Sequence, residues 1–157
     1  MNQVRVEPVD SPPREAAVLS DETPNRYWIL SNGRSWSLAL GQNIGDFPPE
    51  IFTAKSGTIF IGLYHGTAAS VDPENGKIIS QIKLFGGNIV FWIQYGDYIV
   101  ADGELEMGVF QEDGRFLWKG GPGDVIETIE LKGEIFEVAD FSGNIGRYKA
   151  LTGASPD

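Results

Sequence analysis

Three carboxylates alternate in Asp102-Gly103-Glu104-Leu105-Glu106, and Glu112-Asp113 follows a few residues later. In an extended strand alternate residues share a face, so Asp102, Glu104 and Glu106 would point the same way. Oxygen ligands grouped in that manner suit calcium, and a separated pair of carboxylates suits acid–base hydrolysis of a glycoside. The run does not follow the EF-hand pattern, and the sequence pairs no second acidic group with it. The plainer reading is an acidic face or edge turned to water, where charge also guards a strand against unwanted pairing.

Other chemistry is thinly represented. His65, the sole histidine, stands in Tyr64-His65-Gly66 without a GxSxG nucleophile motif anywhere in the chain, and reads as structural. With one His and no Cys, a zinc site is not expected and thiol chemistry is excluded. Gly120-Gly121-Pro122-Gly123 lacks the Lys-Ser/Thr of a phosphate loop and is followed by Asp124 and Glu127, which repel phosphate, so it reads as a plain connection. The aromatics Tyr27, Trp28, Trp36, Phe91, Trp92, Tyr95, Phe116 and Trp118 read mostly as core, one or two to a unit, with Trp92 and Trp118 the firmest.

Charge is distributed unevenly. From Asp97 to Asp140 twelve acidic residues face three basic ones, Arg115, Lys119 and Lys132, so −9 of the net −10 lies in that stretch. Such a field disfavours nucleic acid and anionic lipid surfaces and favours a basic protein. The opening MNQVRVEPVDSPPRE has no apolar core of signal-peptide length, and the longest apolar run, Ile89–Ile93, is far too short for a membrane span. With no cysteine, the expectation is a cytoplasmic protein.

The elements that must position these residues are short strands. Pro8, Pro12, Pro13 and Pro24 interrupt residues 1–26, which are expected to form a loosely ordered arm before a β-repeat domain over 27–157. From Tyr27 onward apolar runs alternate with turns: Ser31-Asn32-Gly33-Arg34, Asp46-Phe47-Pro48-Pro49, Asp72 to Gly76, Asp113-Gly114, Lys132-Gly133 and Ser142-Gly143. The most apolar strand is expected over 88–94. No window shows helical periodicity, and the fold class is all-β.

The turns recur. Gly33, Gly76, Gly114 and Gly153 are spaced by 43, 38 and 39 residues, and Gly57, Gly96 and Gly133, each opening a strand, by 39 and 37. A shared period near 38 with several strands per unit is the mark of propeller blades or a related β-repeat. Val71-Asp72-Pro73-Glu74-Asn75-Gly76-Lys77 resembles the hydrophobic-Asp-x-x-Thr/Asn-Gly-Lys hairpin of PQQ-like β-propeller repeats, and Gly114-Arg115-Phe116-Leu117-Trp118 the Gly-Lys-x-x-Trp that closes the same unit. The resemblance spans roughly 27–153 as three to four antiparallel units, with Ser80 where the second unit should carry Trp. Propellers of that family usually hold more units. The sheets are therefore expected either to close a very small propeller or to form an open, twisted stack, with a sandwich still possible. The quinone enzymes of the family set a calcium-bound cofactor in a large propeller, so no cofactor is expected here.

Two functions follow as expectations. The first is a non-catalytic interaction module binding a basic protein through an acidic surface of Asp102, Glu104, Glu106, Glu112, Asp113, Glu127, Glu130, Glu134 and Glu137. Its narrow form is similar in size, acidity and lack of Cys to small bacterial immunity proteins that block a basic toxin. The alternative is a β-protein that binds or hydrolyses a carbohydrate or other small ligand with its carboxylates.

Overall fold

The computed structural model describes residues 3–14, 17–20, 23–43, 47–86 and 90–156. Apart from one 3-10 turn at Tyr64–Gly66, the regular structure is strand. The first sheet contains β1 (Arg5–Val9), β2 (Ala17–Ser20), β3 (Arg26–Ser31) and β4 (Ser37–Gln42), in the order β1-β3-β4-β2. The second runs β5 (Glu50–Thr53), β6 (Ile59–Gly62), β7 (Thr67–Val71), β8 (Ile78–Lys83), and the third β9 (Phe91–Tyr95), β10 (Tyr98–Asp102), β11 (Met107–Gln111), β12 (Phe116–Gly120), each in chain order. The fourth has three strands, β13 (Ile126–Lys132), β14 (Ile135–Asp140) and β15 (Ile145–Lys149). All pairings are antiparallel except β2 with β4. The strand expected over 88–94 is β9, and Asn88, Ile89 and Asp46 lie outside the described residues. Residues 1–26, expected as a loose arm, supply β1, β2 and the first residue of β3.

Strand alternation explains how the sheets stack. Ile59 and Ile61 of β6 pack with Leu30, Leu38 and Leu40 of the first sheet, while Phe60 between them packs with Ile99, Ala101 and Phe110 of the third. Val100 and Val109 point the other way, onto Ile129, Phe136 and Val138 of the fourth. The middle sheets are thus buried on both faces, which is why GTIFIG reads as a continuous apolar run rather than an alternating one. Among the described residues three cores join the sheets in sequence, and none joins the first to the fourth: the stack is open. The outer face of the fourth sheet carries charged groups beside Ile135, Ala139 and Ile145. Glu130, Glu137 and Arg147 lie in one cross-strand row, and Lys132 contacts Glu130 at 3.3 Å and Glu137 at 2.8 Å. No helix among the described residues is long and apolar enough to cross a membrane.

Both glycine series fall at one end of this stack, because antiparallel strands return each turn to the same side. There the repeat shows its physical purpose. The Trp118 indole N–H donates to Ala150 O at 2.8 Å, and the ring lies where a Cβ on Gly153 would come within 2.5 Å. Trp36 does the same two junctions earlier, donating to Pro73 O at 2.9 Å with its ring 2.6 Å from any Cβ on Gly76. Both glycines also hold φ near +70°, so a side chain there would be strained and would collide. Between the second and third sheets Ser80 takes the register position of Trp118: it pairs with Ser70 across a bulge, as Trp118 pairs with Val109. The junction is rebuilt from smaller groups. Ser70 Oγ donates to Gly114 O at 2.5 Å and accepts from Ser80 N–H, Ser80 Oγ accepts from Phe116 N–H, and Ile79 fills the space beside Gly114.

Trp118 is nearly buried, so Trp118→Ala should lower stability by about 3–5 kcal/mol. Ser70→Ala, which strips a buried acceptor carbonyl of its donor, should cost about 1–3 kcal/mol. Urea denaturation of the two variants checks both, and a negligible effect of Trp118→Ala would refute the junction's role.

Candidate functional site

The opposite end of the stack is built from longer connections, and backbone hydrogen bonds join them across sheets. Leu84 N–H donates to Gly66 O at 2.8 Å, Ile126 N–H to Glu104 O at 2.6 Å, and Phe141 N–H to Val125 O at 3.0 Å. Phe85 N–H donates to Glu106 Oε2 at 2.6 Å, and Ser142 Oγ donates to Asp124 Oδ2. Close backbone approach is part of the construction, since a Cβ on Gly66 would sit 2.3 Å from Leu84 O. One continuous end surface therefore runs over the second, third and fourth sheets.

Aromatic side chains stand out from it. Phe85 is 76% exposed and Phe141 69%, with Phe47 on the connection before β5 also exposed. Around them lie the carboxylates of Asp102, Glu104, Glu106 and Asp124. Asp102–Glu106 is not the extended run considered above. It is a tight turn, with Glu104 at φ 74°, Gly103 N–H donating to Glu106 O, and Asp102 Oδ1 accepting from Glu104 N–H at 2.9 Å. Burial pushes the Asp102 carboxyl above its ordinary value of 3.8, against the opposing pull of the Glu104 N–H. Asp124 moves the other way, held low chiefly by the Ser142 hydroxyl and further by Val125 N–H. Glu106 lies 3.7 Å from Lys119 Nζ.

The remaining acidic residues, Glu127 apart, do not join this surface. Glu112 and Asp113 sit at the glycine-turn end, where Glu112 Oε1 accepts from Ser56 N–H at 2.7 Å and Gln94 Nε2 at 3.1 Å, tying the second sheet to the third. Asp113 Oδ1 accepts from Arg115 N–H within its own turn. Glu134 ends the β13–β14 turn at that same end, Glu127 lies in the bulge of β13 beside Ile126 at the loop end, and Glu130 and Glu137 are on the outer face of the fourth sheet. His65 packs edge-on against Tyr64 with ring centroids 4.9 Å apart, at φ 67° in the 3-10 turn. Among the described residues no group of three or more His, Cys, Asp or Glu is placed to hold a metal ion. Phe85 and Phe141 were passed over in the sequence. Their signal was position: each is a large apolar residue in a turn, one residue before or after which comes Gly86 or Ser142-Gly143.

The repeated glycine turn, the docked Trp and four small sheets of three or four strands define a propeller-like repeat scaffold, open rather than closed. No family model and no curated protein matches the chain. Among solved structures it is similar to a computationally designed protein, Ika8, at TM-score 0.51 and 13% identity over 83% of this chain and 45% of that one. It is also similar to the designed Ika4 (TM-score 0.45, 11% identity, 87% of this chain and 93% of that one). A third is BamB from Moraxella catarrhalis (TM-score 0.48, 13% identity, 98% of this chain and 51% of that one). The chain thus spans about half the length of Ika8. At these identities the likeness concerns the fold alone.

Because the Asp102 carboxyl is raised by burial, its ionised form weighs against the folded state. Its contribution is fully favourable below 3.8 and is lost as pH rises through the raised folded value. Asp102→Asn, which keeps an acceptor for Glu104 N–H, should therefore be more stable than the wild type at pH above that range and equal to it in acid. Thermal denaturation across pH checks this; a variant less stable at neutral pH would contradict it.

Proposed function

We propose that the protein is a non-catalytic interaction module that binds a basic protein at the loop end of its stack, with Phe85 and Phe141 as the buried centre of the complex. One observation carries this reading: two phenyl rings, 76% and 69% exposed, project from a hydrogen-bonded surface bordered by carboxylates. Large aromatic anchors surrounded by polar rims supply most of the energy of protein interfaces, and like-signed charge around them steers an oppositely charged partner. Glu106, which accepts from Phe85 N–H, and Asp124, which accepts from the Ser142 hydroxyl next to Phe141, are the carboxylates tied most directly to the rings' own loops, with Glu104 in the turn between them. Glu112, Asp113 and the carboxylates of the fourth sheet's outer face then contribute to the long-range field without touching the partner. Inhibition of a basic effector, in the manner of an immunity protein, is the narrow form of this reading and rests on size and charge.

The test is capture of basic proteins from source-cell lysate at high salt, compared across variants. A partner retained by the wild type and by Glu130→Lys/Glu137→Lys, but lost from Phe85→Ala/Phe141→Ala, is the expected result. Glu104→Lys should slow association and flatten its salt dependence. A partner that ignores the phenylalanines but is lost on reversing Glu130 and Glu137 would move the interface to the fourth sheet and refute this placement.

A further inference from the structure

We propose that the gap between the inner strands β9 and β13 is a binding site for an alkylammonium group, filled in the complex by a lysine side chain of the basic partner. The site deepens the interface reading given above and rests on it for the identity of the partner. Phe91, Ile93 and Tyr95 alternate along β9 on the face turned to the fourth sheet, opposed in the ladder to Asp102, Val100 and Tyr98. Tyr95 is packed there, and its hydroxyl donates to Ile129 O at 2.5 Å. Phe91 and Ile93 stay open to solvent, at 49% and 36% exposed.

Two features hold the strands apart at this point. β13 is tied to the third sheet at Ile129 and again at Ile126, whose N–H donates to Glu104 O. Between those ties it carries an extra residue, Glu127, in a bulge that bends the strand. β9 itself packs more closely on β5 and β6 of the second sheet than on β13.

At the loop end of the apolar strip stands Asp102, directly across from Phe91 and on the same face. Its Oδ1 accepts from Glu104 N–H at 2.9 Å, and among the described residues no cation comes within ion-pair reach of it. Its charge reaches the far end of the strip, where the Tyr95 phenol is raised by burial first and then by Asp102 and Glu130. A half-buried carboxylate without a cation weighs against folding, and an ammonium group beside it offsets that cost. Apolar side chains leading to a lone carboxylate match a methylene stem that ends in positive charge. Lysine fits better than arginine. One carboxylate oxygen is already engaged, which suits a point charge more than a two-pronged guanidinium. Glu104 in the turn and Glu127 in the bulge add charge of the same sign and disfavour an anion.

The probe is n-butylammonium chloride. The comparisons, at the same ionic strength, are n-butanol (the stem alone), methylammonium (the charge alone) and n-butylguanidinium. In side-chain NMR of the whole protein, Phe91, Ile93 and the Asp102 carboxyl carbon should shift together with butylammonium, and each comparison should bind at least about fivefold more weakly. The Asp102 carboxyl should titrate at lower pH with butylammonium present, because a neighbouring cation favours its ionised form. Asp102→Asn, expected above to be no less stable than the wild type, should bring butylammonium down to the affinity of butanol and leave butanol unchanged. The captured partner should dissociate from Asp102→Asn about fivefold faster. Shifts spread over all carboxylates alike, an Asp102 titration that does not move, guanidinium binding as tight as butylammonium, or an unchanged partner would each overturn the proposal. If butylammonium binds as described but Phe85→Ala/Phe141→Ala still captures the partner, the loop-end interface falls and the ammonium site stands. If capture depends on the phenylalanines and butylammonium does not bind, the ammonium site alone falls.

Discussion

A small sheet with two apolar faces has no stable existence alone; it needs a neighbour on each side. That constraint governs this chain. The second and third sheets satisfy it by lying between others, and β6 is buried along its whole length as a result. The two end sheets satisfy it in part. The fourth turns a salt-linked face outward, with Lys132, Glu130, Glu137 and Arg147 in contact, as the last unit of a stacked repeat does. The first carries Tyr27, Ile29 and Val18 on the face turned away from its neighbour, with Val18 46% exposed. Stability in such an arrangement is the sum of the sheets and the junctions between them, so the docked tryptophans act on the whole stack rather than locally.

The same geometry divides the surface by task. Tight glycine turns gather at one end, where Glu112 and the tryptophans serve to hold sheets together. The longer connections gather at the other, with Phe47, Phe85 and Phe141 exposed. Loops fixed on a rigid strand scaffold are where binding groups are usually placed, because they tolerate variation that the cores do not. The net charge of −10 is then less a single acidic face than a field drawn from the loop end, the turn end and one outer sheet face.

Much of the architecture was legible because it is local. The two glycine series mark turns that need positive φ, and Gly57, Gly96 and Gly133 lie at φ 93°, 57° and 63° at one end of the stack, as their shared period implied. Trp118 was readable as core from the Gly-Arg-Phe-Leu-Trp close, and the substitution of Ser80 was visible before its consequence was. What the sequence could not give was the network that replaces a missing indole, since Ser70, Ser80 and Gly114 meet only after three strands have been registered. Nor did carboxylate spacing disclose a face: Asp102–Glu106 alternates in sequence, yet Glu104 at φ 74° turns the run back on itself. The pairing of β2 with β4, parallel and out of chain order, leaves no local signature either.

The central claim is an open stack in which each sheet depends on its immediate neighbours. Site-resolved amide hydrogen exchange tests it most directly. If the account is right, the ladder amides of β6 and β10 open with the largest free energy, and those of β3–β4 and β13–β14 open separately and at lower cost, since each end sheet has one packed face. Equal protection in all four sheets, with first and fourth opening together, would mean that the ends meet and would contradict the open arrangement.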